Sequence, residues 1–394
     1  MSLKGKNVVV GMGGGIAAFK AVGVVRELQR QGAHVRVMMT EAATRFVGPM
    51  TLAGITGDPA ITDLWDPHYS GEVHVELAAW ADIIVITPAT MNLMARAAGG
   101  QANDVVLATL ACRKSPLVFA PAMHTQMWNS PATQRNVTLL KSDGVLFAGP
   151  VSGPLASGEE GQGRMAEPVA IVAVVAGALA PKDYSGRRVL ITAGPTLEDL
   201  DPVRFLGNRS TGKMGYALAR AAAMRGAEVV LVSGPTSLAT PAGCRRVDVR
   251  SAREMHAAVA SEGADLILMA AAVADYRPAS QAEQKLKKSE GPTVVHLVRN
   301  PDILLDLGNS RTGRRPVLVG FALETENVIE NARSKLERKR VDLIVANHAS
   351  DAFGKDTNVA TLVGADDEIA LGELGKDALA HRILDRAQLF FRSS

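Results

Sequence analysis

Short β-branched runs, glycine-bearing turns and amphipathic stretches follow one another along this chain, and the pattern opens twice in the same way. KNVVVGMGGGIAAFKAVGVVRELQRQGAHVRVMMT lies near the start, and RRVLITAGPTLEDLDPVRFLGNRSTGKMGYALARAAAMRGAEVVLVSGP begins at Arg187. Each predicts strand, glycine-rich turn, helix and strand. Each helix stops at a polar residue followed by Gly-Ala (Gln31-Gly32-Ala33 and Arg225-Gly226-Ala227) before the next β-branched run. Two such openings predict two α/β domains. The join falls in APKDYSG, where Pro, Asp, Ser and Gly break the periodicity, giving domains 1–180 and 187–394 around a linker at 181–186.

Further strands are expected at 83–87, 117–120 and 145–148 in the first half and at 266–270, 317–321 and 343–346 in the second. Each is a short apolar run, the mark of a strand buried on both faces. The fold class is therefore α/β: an N-terminal flavodoxin-like or Rossmann-like doubly wound sheet and a C-terminal Rossmann-like sheet. The apolar stretch 168–181 reads as a buried helix, because it is shorter than the roughly 20 residues that span a bilayer. Ligands of such sheets gather outside the carboxyl ends of the strands. There the sequence places 88–92, 121–124, Asn208, Asp275, Phe321 and Asn347.

Composition narrows the function classes. With 394 residues, 47% apolar and 21% charged, each half can bury a full core. A net charge of +3 gives no general nucleic-acid or membrane surface. Cys112 and Cys244 have neither CxxC nor Cys/His spacing, which argues against a disulfide framework or structural zinc and fits a reducing cytoplasm.

GMGGGIAAFK follows a strand and opens a helix, so its backbone amides can face a phosphate. It lacks GxGxxG with an acidic residue ending the next strand; that strand ends at Thr40 instead, which disfavours NAD against a mononucleotide such as FMN. TPATMNLMARAAGGQAND and APAMHTQMW place small residues just after strands, where a flat ring can lie against backbone; ordinary strand-to-helix turns account for them equally. His74, preceding an amphipathic helix, is by itself a surface histidine. The order GGGIAAFK, HVELAAWAD, PATMNLMARAAGGQAND, PAMHTQMW, LASGEEGQGRM resembles the FMN-dependent phosphopantothenoylcysteine decarboxylases over most of 1–180. The resemblance implies FMN at a subunit contact of a trimer, held by Gly13, Gly14, Gly15, Ile16, Thr40, Ala89, Thr90 and Met123, with His74 as catalytic base. It implies oxidation on the thiol side, loss of carbon dioxide and re-reduction of the resulting enethiol. Three positions depart from that family. His124 stands where many members have an Asn expected to hold the substrate carboxylate, Ser157 where many have a catalytic flap Cys, and Gly13 where many have Ser. A thiol of pKa about 8.5 can protonate an enethiolate, whereas a serine hydroxyl is a far weaker acid, so another acid or a bound water is expected to act.

In the second half, the loop Asp201 to Gly215 carries Arg204, Asn208 and Lys213 into a helix, with Gly212 and Gly215 expected to leave room for a phosphate; a capped helix start with surface cations fits the same residues. AAAVADYRP, QKLKKS, VRNPDIL, VGFALETEN and NARSKLERKR follow, and Lys335 and Lys339, four apart, share a helix face. Mobile lysines suit a triphosphate, and carboxylates can hold Mg2+ through water. This succession resembles the CTP-dependent phosphopantothenate-cysteine ligases from Arg187 to near the C-terminus. The resemblance implies that 4'-phosphopantothenate attacks CTP and that L-cysteine then attacks the acyl cytidylate. Asn208 would orient that intermediate and Arg204 bind it, while Ala271, Asp275, Lys285, Asn300, Pro301, Asp302, Ile303, Phe321, Lys335 and Lys339 contact the nucleotide. Together the halves resemble the bifunctional enzymes of coenzyme A biosynthesis, cytoplasmic homo-oligomers with decarboxylase trimers and ligase dimers in a larger shell, up to a dodecamer. Two rival readings are a nicotinamide-dependent two-domain oxidoreductase, which leaves the lysines without a use, and a live ligase fused to a flavin-binding regulatory or assembly module.

Overall fold

The computed structural model describes residues 3–66, 69, 71–154, 158–287, 294–324, 326–348 and 357–391. The chain divides into two compact units that meet at Ala180 and Pro181.

The first unit runs β1 (Asn7–Met12), α1 (Ala18–Arg30), β2 (His34–Met39), α2 (Glu41–Thr44), α3 (Pro49–Thr56), α4 (Val73–Trp80), β3 (Ile83–Ala89), α5 (Met91–Ala98), α6 (Val105–Cys112), β4 (Leu117–Pro121), α7 (Thr125–Asn129), α8 (Pro131–Ser142), β5 (Leu146–Phe147), β6 (Val151–Pro154), β7 (Glu160–Arg164) and α9 (Pro168–Leu179). Its five-stranded sheet is parallel throughout, in the order β2-β1-β3-β4-β5. That is the flavodoxin-like order, whose switch point lies between β1 and β3. Val8, Val9 and Val10 and the whole of β3 are buried, as expected for strands covered on both faces. Two expectations need correction. The strand at 145–148 shrinks to Leu146 and Phe147 at the sheet edge, with Leu146 exposed, because no strand lies beyond it. The helix at 168–181 is only half-buried: Ile171, Val172, Val175 and Ala176 face the core, whereas Val169 is 63% exposed.

The second unit runs β8 (Arg188–Ala193), β9 (Leu197–Asp199), β10 (Phe205–Gly207), α10 (Lys213–Met224), β11 (Glu228–Ser233), β12 (Cys244–Asp248), α11 (Ala252–Ser261), β13 (Leu266–Met269), β14 (Tyr276–Pro278), β15 (Leu297–Arg299), α12 (Ile303–Ser310), β16 (Val317–Glu324), α13 (Val328–Arg338), β17 (Leu343–His348), β18 (Thr357–Val363), β19 (Glu368–Gly375) and α14 (Lys376–Leu389). The strand order is β12-β11-β8-β13-β16-β17-β18-β19. The six strands from β12 to β17 are parallel in the Rossmann order, and β18 and β19 extend the sheet antiparallel. One core layer packs α10 and α14 on Ile191, Leu268, Val319 and Val345; the other packs α11, α12 and α13 on Leu190, Ile267, Leu318 and Ile344. The segment after Ala180 is built into this unit. Tyr184 is fully buried and its hydroxyl donates to the Leu384 carbonyl at 2.6 Å. Arg225, 2% exposed, donates to Asp183 at 2.9 Å and to Asp385 at 2.7 Å.

Candidate active sites

The first unit holds a cavity of about 1030 Å³ at the carboxyl ends of β1, β3 and β4. Gly13, Gly14 and Gly15 form one wall, the first two lying close against neighbouring backbone and side chains. A Cβ on Gly13 would lie 2.5 Å from the Pro88 carbonyl oxygen, and one on Gly14 would lie 2.4 Å from Ala42 Cβ. The turn opens α1, where Ala18 N–H donates to the Gly15 carbonyl at 2.9 Å and Lys20 N–H to that of Ala17 at 3.0 Å, and no side chain caps the helix. Thr40 caps α2, its hydroxyl accepting from Ala43 N–H at 3.2 Å and donating to the Met12 carbonyl at 3.2 Å. Thr90 caps α5 through Leu93 N–H at 3.3 Å. Ile16, Thr40, Thr90 and Met123 all line the cavity. Its volume, glycine cradle and apolar floor fit a flavin mononucleotide. Ala89 does not line it. Its side chain is buried in the core and its carbonyl accepts from Ala122 N–H at 3.2 Å, so it shapes the wall from behind.

Charged groups missed in the sequence reading rim this cavity. Lys20 and Arg164 both bind Glu167 at 2.8 Å, and Arg96 binds Asp104 at 2.9 Å. The Lys20 ammonium holds the Glu167 carboxyl below its usual range. Lys20, Arg96, Asp104 and Arg164 lie inside the sequence motifs and Glu167 just beyond the last of them, but their pairing depends on tertiary approach.

His124 lines the cavity and caps the short helix α7, its Nδ1 accepting from Gln126 N–H at 3.3 Å. Its Nε2 lies 2.9 Å from Glu159 Oε2. Two glycines bring Glu159 there. A Cβ on Gly161 would sit 2.2 Å from Thr125 Oγ1, and one on Gly163 would sit 2.2 Å from the Met123 carbonyl oxygen, so β7 can lie directly on residues 123–125. Ser157 lies outside the described residues. His74 is in the first turn of α4 rather than ahead of it, half-buried, and it is not among the residues lining its own chain's cavity.

In the second unit, the loops after β8 and β13 are stitched together at the carboxyl end of the sheet. Ala272 N–H donates to Gly194 at 2.9 Å, and Ala274 N–H donates to Thr196 Oγ1 at 2.9 Å. Ala271 N–H bonds Thr192 Oγ1 at 3.1 Å. Asn208 Nδ2 donates to the Val273 carbonyl at 2.9 Å, and Asn300 Nδ2 donates to that of Ala274 at 2.8 Å. Asn300 N–H reaches the Asp275 carbonyl at 2.9 Å. The segment Ala271 to Asp275 thus gathers Asn208 and Asn300, 92 residues apart in sequence (300 minus 208), on one loop. Fully buried Asp201 accepts from Val203 and Arg204 N–H at 2.8 Å each and from Leu286 N–H at 3.1 Å. Arg204 Nη2 donates to the Leu286 carbonyl at 2.7 Å, which fixes the neighbour of exposed Lys285 beside Arg204.

Several expectations are revised here. A Cβ on Gly215 would meet Ala193 Cβ at 2.5 Å, and one on Gly212, at φ +75°, would meet Thr236 Cγ2 at 2.8 Å. Their openness lets α10 start against β8 and the Thr236 loop rather than leaving empty room. Lys335 Nζ donates to the Phe321 carbonyl at 2.6 Å. Lys339 lies just past the end of α13, where it binds Asp302 at 2.9 Å. Asp302 also caps α12, next to Pro301, and the Ile303 side chain is buried in the core. Both lysines therefore already tie strand and helix ends together. Lys288 is outside the described residues. Asn347, 7% exposed at the end of β17, has an Oδ1 without a hydrogen-bond partner among the described residues. It stands two residues beyond the register partner of Phe321, on the same sheet face. Among the described residues, no group of three or more His, Cys, Asp or Glu could hold a metal ion, and no helix is long and apolar enough to cross a membrane.

Comparison with known proteins gives consistent matches. The flavoprotein family matches residues 1–180, and the DNA/pantothenate metabolism flavoprotein C-terminal domain family matches residues 184–390. The coenzyme A biosynthesis bifunctional protein CoaBC of Vibrio cholerae is 46% identical over 391 residues, 97% of this chain and 98% of the relative. That of Escherichia coli K12 is 45% identical over 395 residues, 98% of this chain and 97% of the relative. A solved C-terminal domain of a CoaBC protein is 41% identical, covering 54% of this chain and all of that one, with a TM-score of 0.47.

Proposed function

The chain belongs to the family of bifunctional coenzyme A biosynthesis proteins, and from that premise we infer that its second unit joins L-cysteine to 4'-phosphopantothenate using CTP, while its first unit decarboxylates the product to 4'-phosphopantetheine. The observation that carries this reading is the presence, at the carboxyl ends of both sheets, of a site suited to one half-reaction, in a chain that spans 98% of its Vibrio cholerae relative.

In the decarboxylase unit, the Gly13 to Gly15 turn together with Thr40, Thr90 and Met123 would hold FMN. Bound FMN supplies the two-electron oxidation that labilises the carboxylate and the reduction that follows. His74 removes the substrate proton. Because it is not on its own chain's cavity, we assign it to the cavity of a neighbouring subunit. The exposure of Ile16 at 65% and Phe19 at 63%, both on the cavity wall, supports a partner surface there.

In the ligase unit, the 4'-phosphopantothenate carboxylate attacks the α-phosphate of CTP and pyrophosphate leaves. The cysteine amine then attacks the acyl cytidylate and CMP leaves. Asn208, anchored on Val273, orients the acyl group, while Arg204 and Lys285, gathered by Asp201, face the anionic groups. Asp275, Asn300, Pro301, Phe321 and Asn347 border the nucleoside. A buried amide oxygen without a partner is costly, and a ligand N–H can satisfy it. Mg2+ enters with the nucleotide phosphates.

The test is mass spectrometry of products formed anaerobically from 4'-phosphopantothenate, cysteine, CTP and magnesium. Phosphopantetheine is the expected product. Accumulation of phosphopantothenoylcysteine would reduce the first unit to a flavin-binding module, and absence of both would refute the ligase reading.

A further inference from the structure

We propose that His124, positioned by Glu159, is the acid that protonates the decarboxylated substrate in this chain, in the place that a flap thiol would otherwise fill. The proposal rests on the decarboxylase reading and deepens it. Ser157 occupies the position where that thiol is expected, and its hydroxyl is too weak an acid for the task. The cavity must supply a proton from elsewhere. Its other charged side chains are committed: Lys20 and Arg164 to Glu167, Arg96 to Asp104, and Glu41 to Arg45 at 3.3 Å. Among the described lining residues, His124 carries the one imidazole, which can hold a proton on either ring nitrogen and hand it on.

The geometry makes this imidazole more than a substitute for an asparagine. Gln126 N–H on Nδ1 leaves Nε2 as the protonated nitrogen, donating to Glu159 at 2.9 Å. Protonation of Nδ1 gives up only the 3.3 Å capping bond and makes Nε2–H an acid with Glu159 as its counter-charge. Gly161 and Gly163 hold β7 against residues 123–125, so the strand that follows Glu159 directly lies on the His124 segment. Glu159 is 64% exposed at its side chain and can yield its place to substrate.

The step is a proton transfer. Loss of carbon dioxide leaves an enethiolate. The Nε2 proton moves to the carbon that bore the carboxylate, the C=C electron pair forms the new C–H bond, and a sulfur lone pair closes C=S. The imidazole is left neutral, and the carbon beside sulfur is ready for reduction. Glu159 acts through His124 as a positioning residue.

The experiment follows the fraction of released carbon dioxide that ends as phosphopantetheine, with phosphopantothenoylcysteine as substrate under anaerobic conditions. His124→Asn keeps a residue that caps helices well and can still hold a carboxylate. That fraction should fall about 10²-fold, in the range general acids contribute, with a product two hydrogens short. Adding Ser157→Cys to His124→Asn should restore it. Full phosphopantetheine yield from His124→Asn would overturn the proposal alone, whereas wild-type protein that releases no carbon dioxide would overturn the decarboxylase reading with it. In flavin-free protein, imidazole nitrogen NMR should show His124 as the Nε2–H tautomer, with its Nε2 proton resonance displaced in Glu159→Gln. An Nδ1–H tautomer would also overturn the proposal.

Discussion

At Gly14 one added carbon would lie 2.4 Å from Ala42 Cβ and 2.7 Å from the Ala42 carbonyl oxygen, separations that neither backbone can keep. Gly14→Ala should therefore push the 13–15 turn off the start of α2 and lower the flavin content of purified protein several-fold. Unchanged flavin absorbance per chain would mean that the turn gives way without cost. His381 offers a residue-scale test in the other unit. Burial, reinforced by the Arg225 charge, pushes its imidazole down to about 4. The unfolded chain then takes up a proton near pH 6.5 that the folded chain refuses. This stability is whole above pH 6.5, declines as pH falls toward 4 and levels off below it, by about 3 kcal/mol in all. His381→Asn should flatten that slope in denaturant titrations of the second unit, and an unaltered slope would assign it to other groups.

At the scale of elements, Asp201 is a knot joining the loop before α10 to the segment that carries Lys285. Asp201→Asn keeps the shape but replaces one acceptor oxygen by a donor facing N–H groups. We expect the KM for CTP to rise roughly tenfold, the weight of one or two buried hydrogen bonds. Asn208→Ala leaves that knot intact and should form and retain acyl cytidylate while transferring it poorly to cysteine. Quenched-reaction product analysis separates the two variants, and normal amide formation by Asn208→Ala would remove its assigned role. The inner parallel strands were legible in the sequence because Val, Ile and Leu runs buried on both faces carry an undiluted signal, as in IIVIT and RVLIT, whereas the parallel edge strand β12, CRRVD, was not, because none of its residues is buried. The pairs β6–β7, β9–β10 and β14–β15 were not, because they are short and polar or glycine-rich and are held by the loops they pack on. Site residues on strand ends could be named from motifs. What they do locally could not: Gly215 serving helix packing, Lys339 bound to Asp302 and Glu159 beside His124 each depend on a partner far away in sequence.

For the whole molecule, the absence of His74 from the lining of its own chain's cavity predicts sites shared between subunits. Decarboxylase activity should partly return when His74→Ala and Gly14→Ala chains are co-expressed, since mixed oligomers can pair an intact cradle with an intact histidine. No recovery above either parent would place both defects in one protomer's site. The two units also differ in how their boundary can be handled. Tyr184 is buried against α14 and bonded to Leu384, and Asp183 holds Arg225, so residues just after Ala180 are foundation stones of the ligase. Anyone dividing the chain into separately expressed halves should cut at Ala180. A ligase begun at Gly186 would leave a hole beneath its last helix and take from the Arg225 guanidinium one of its two carboxylates.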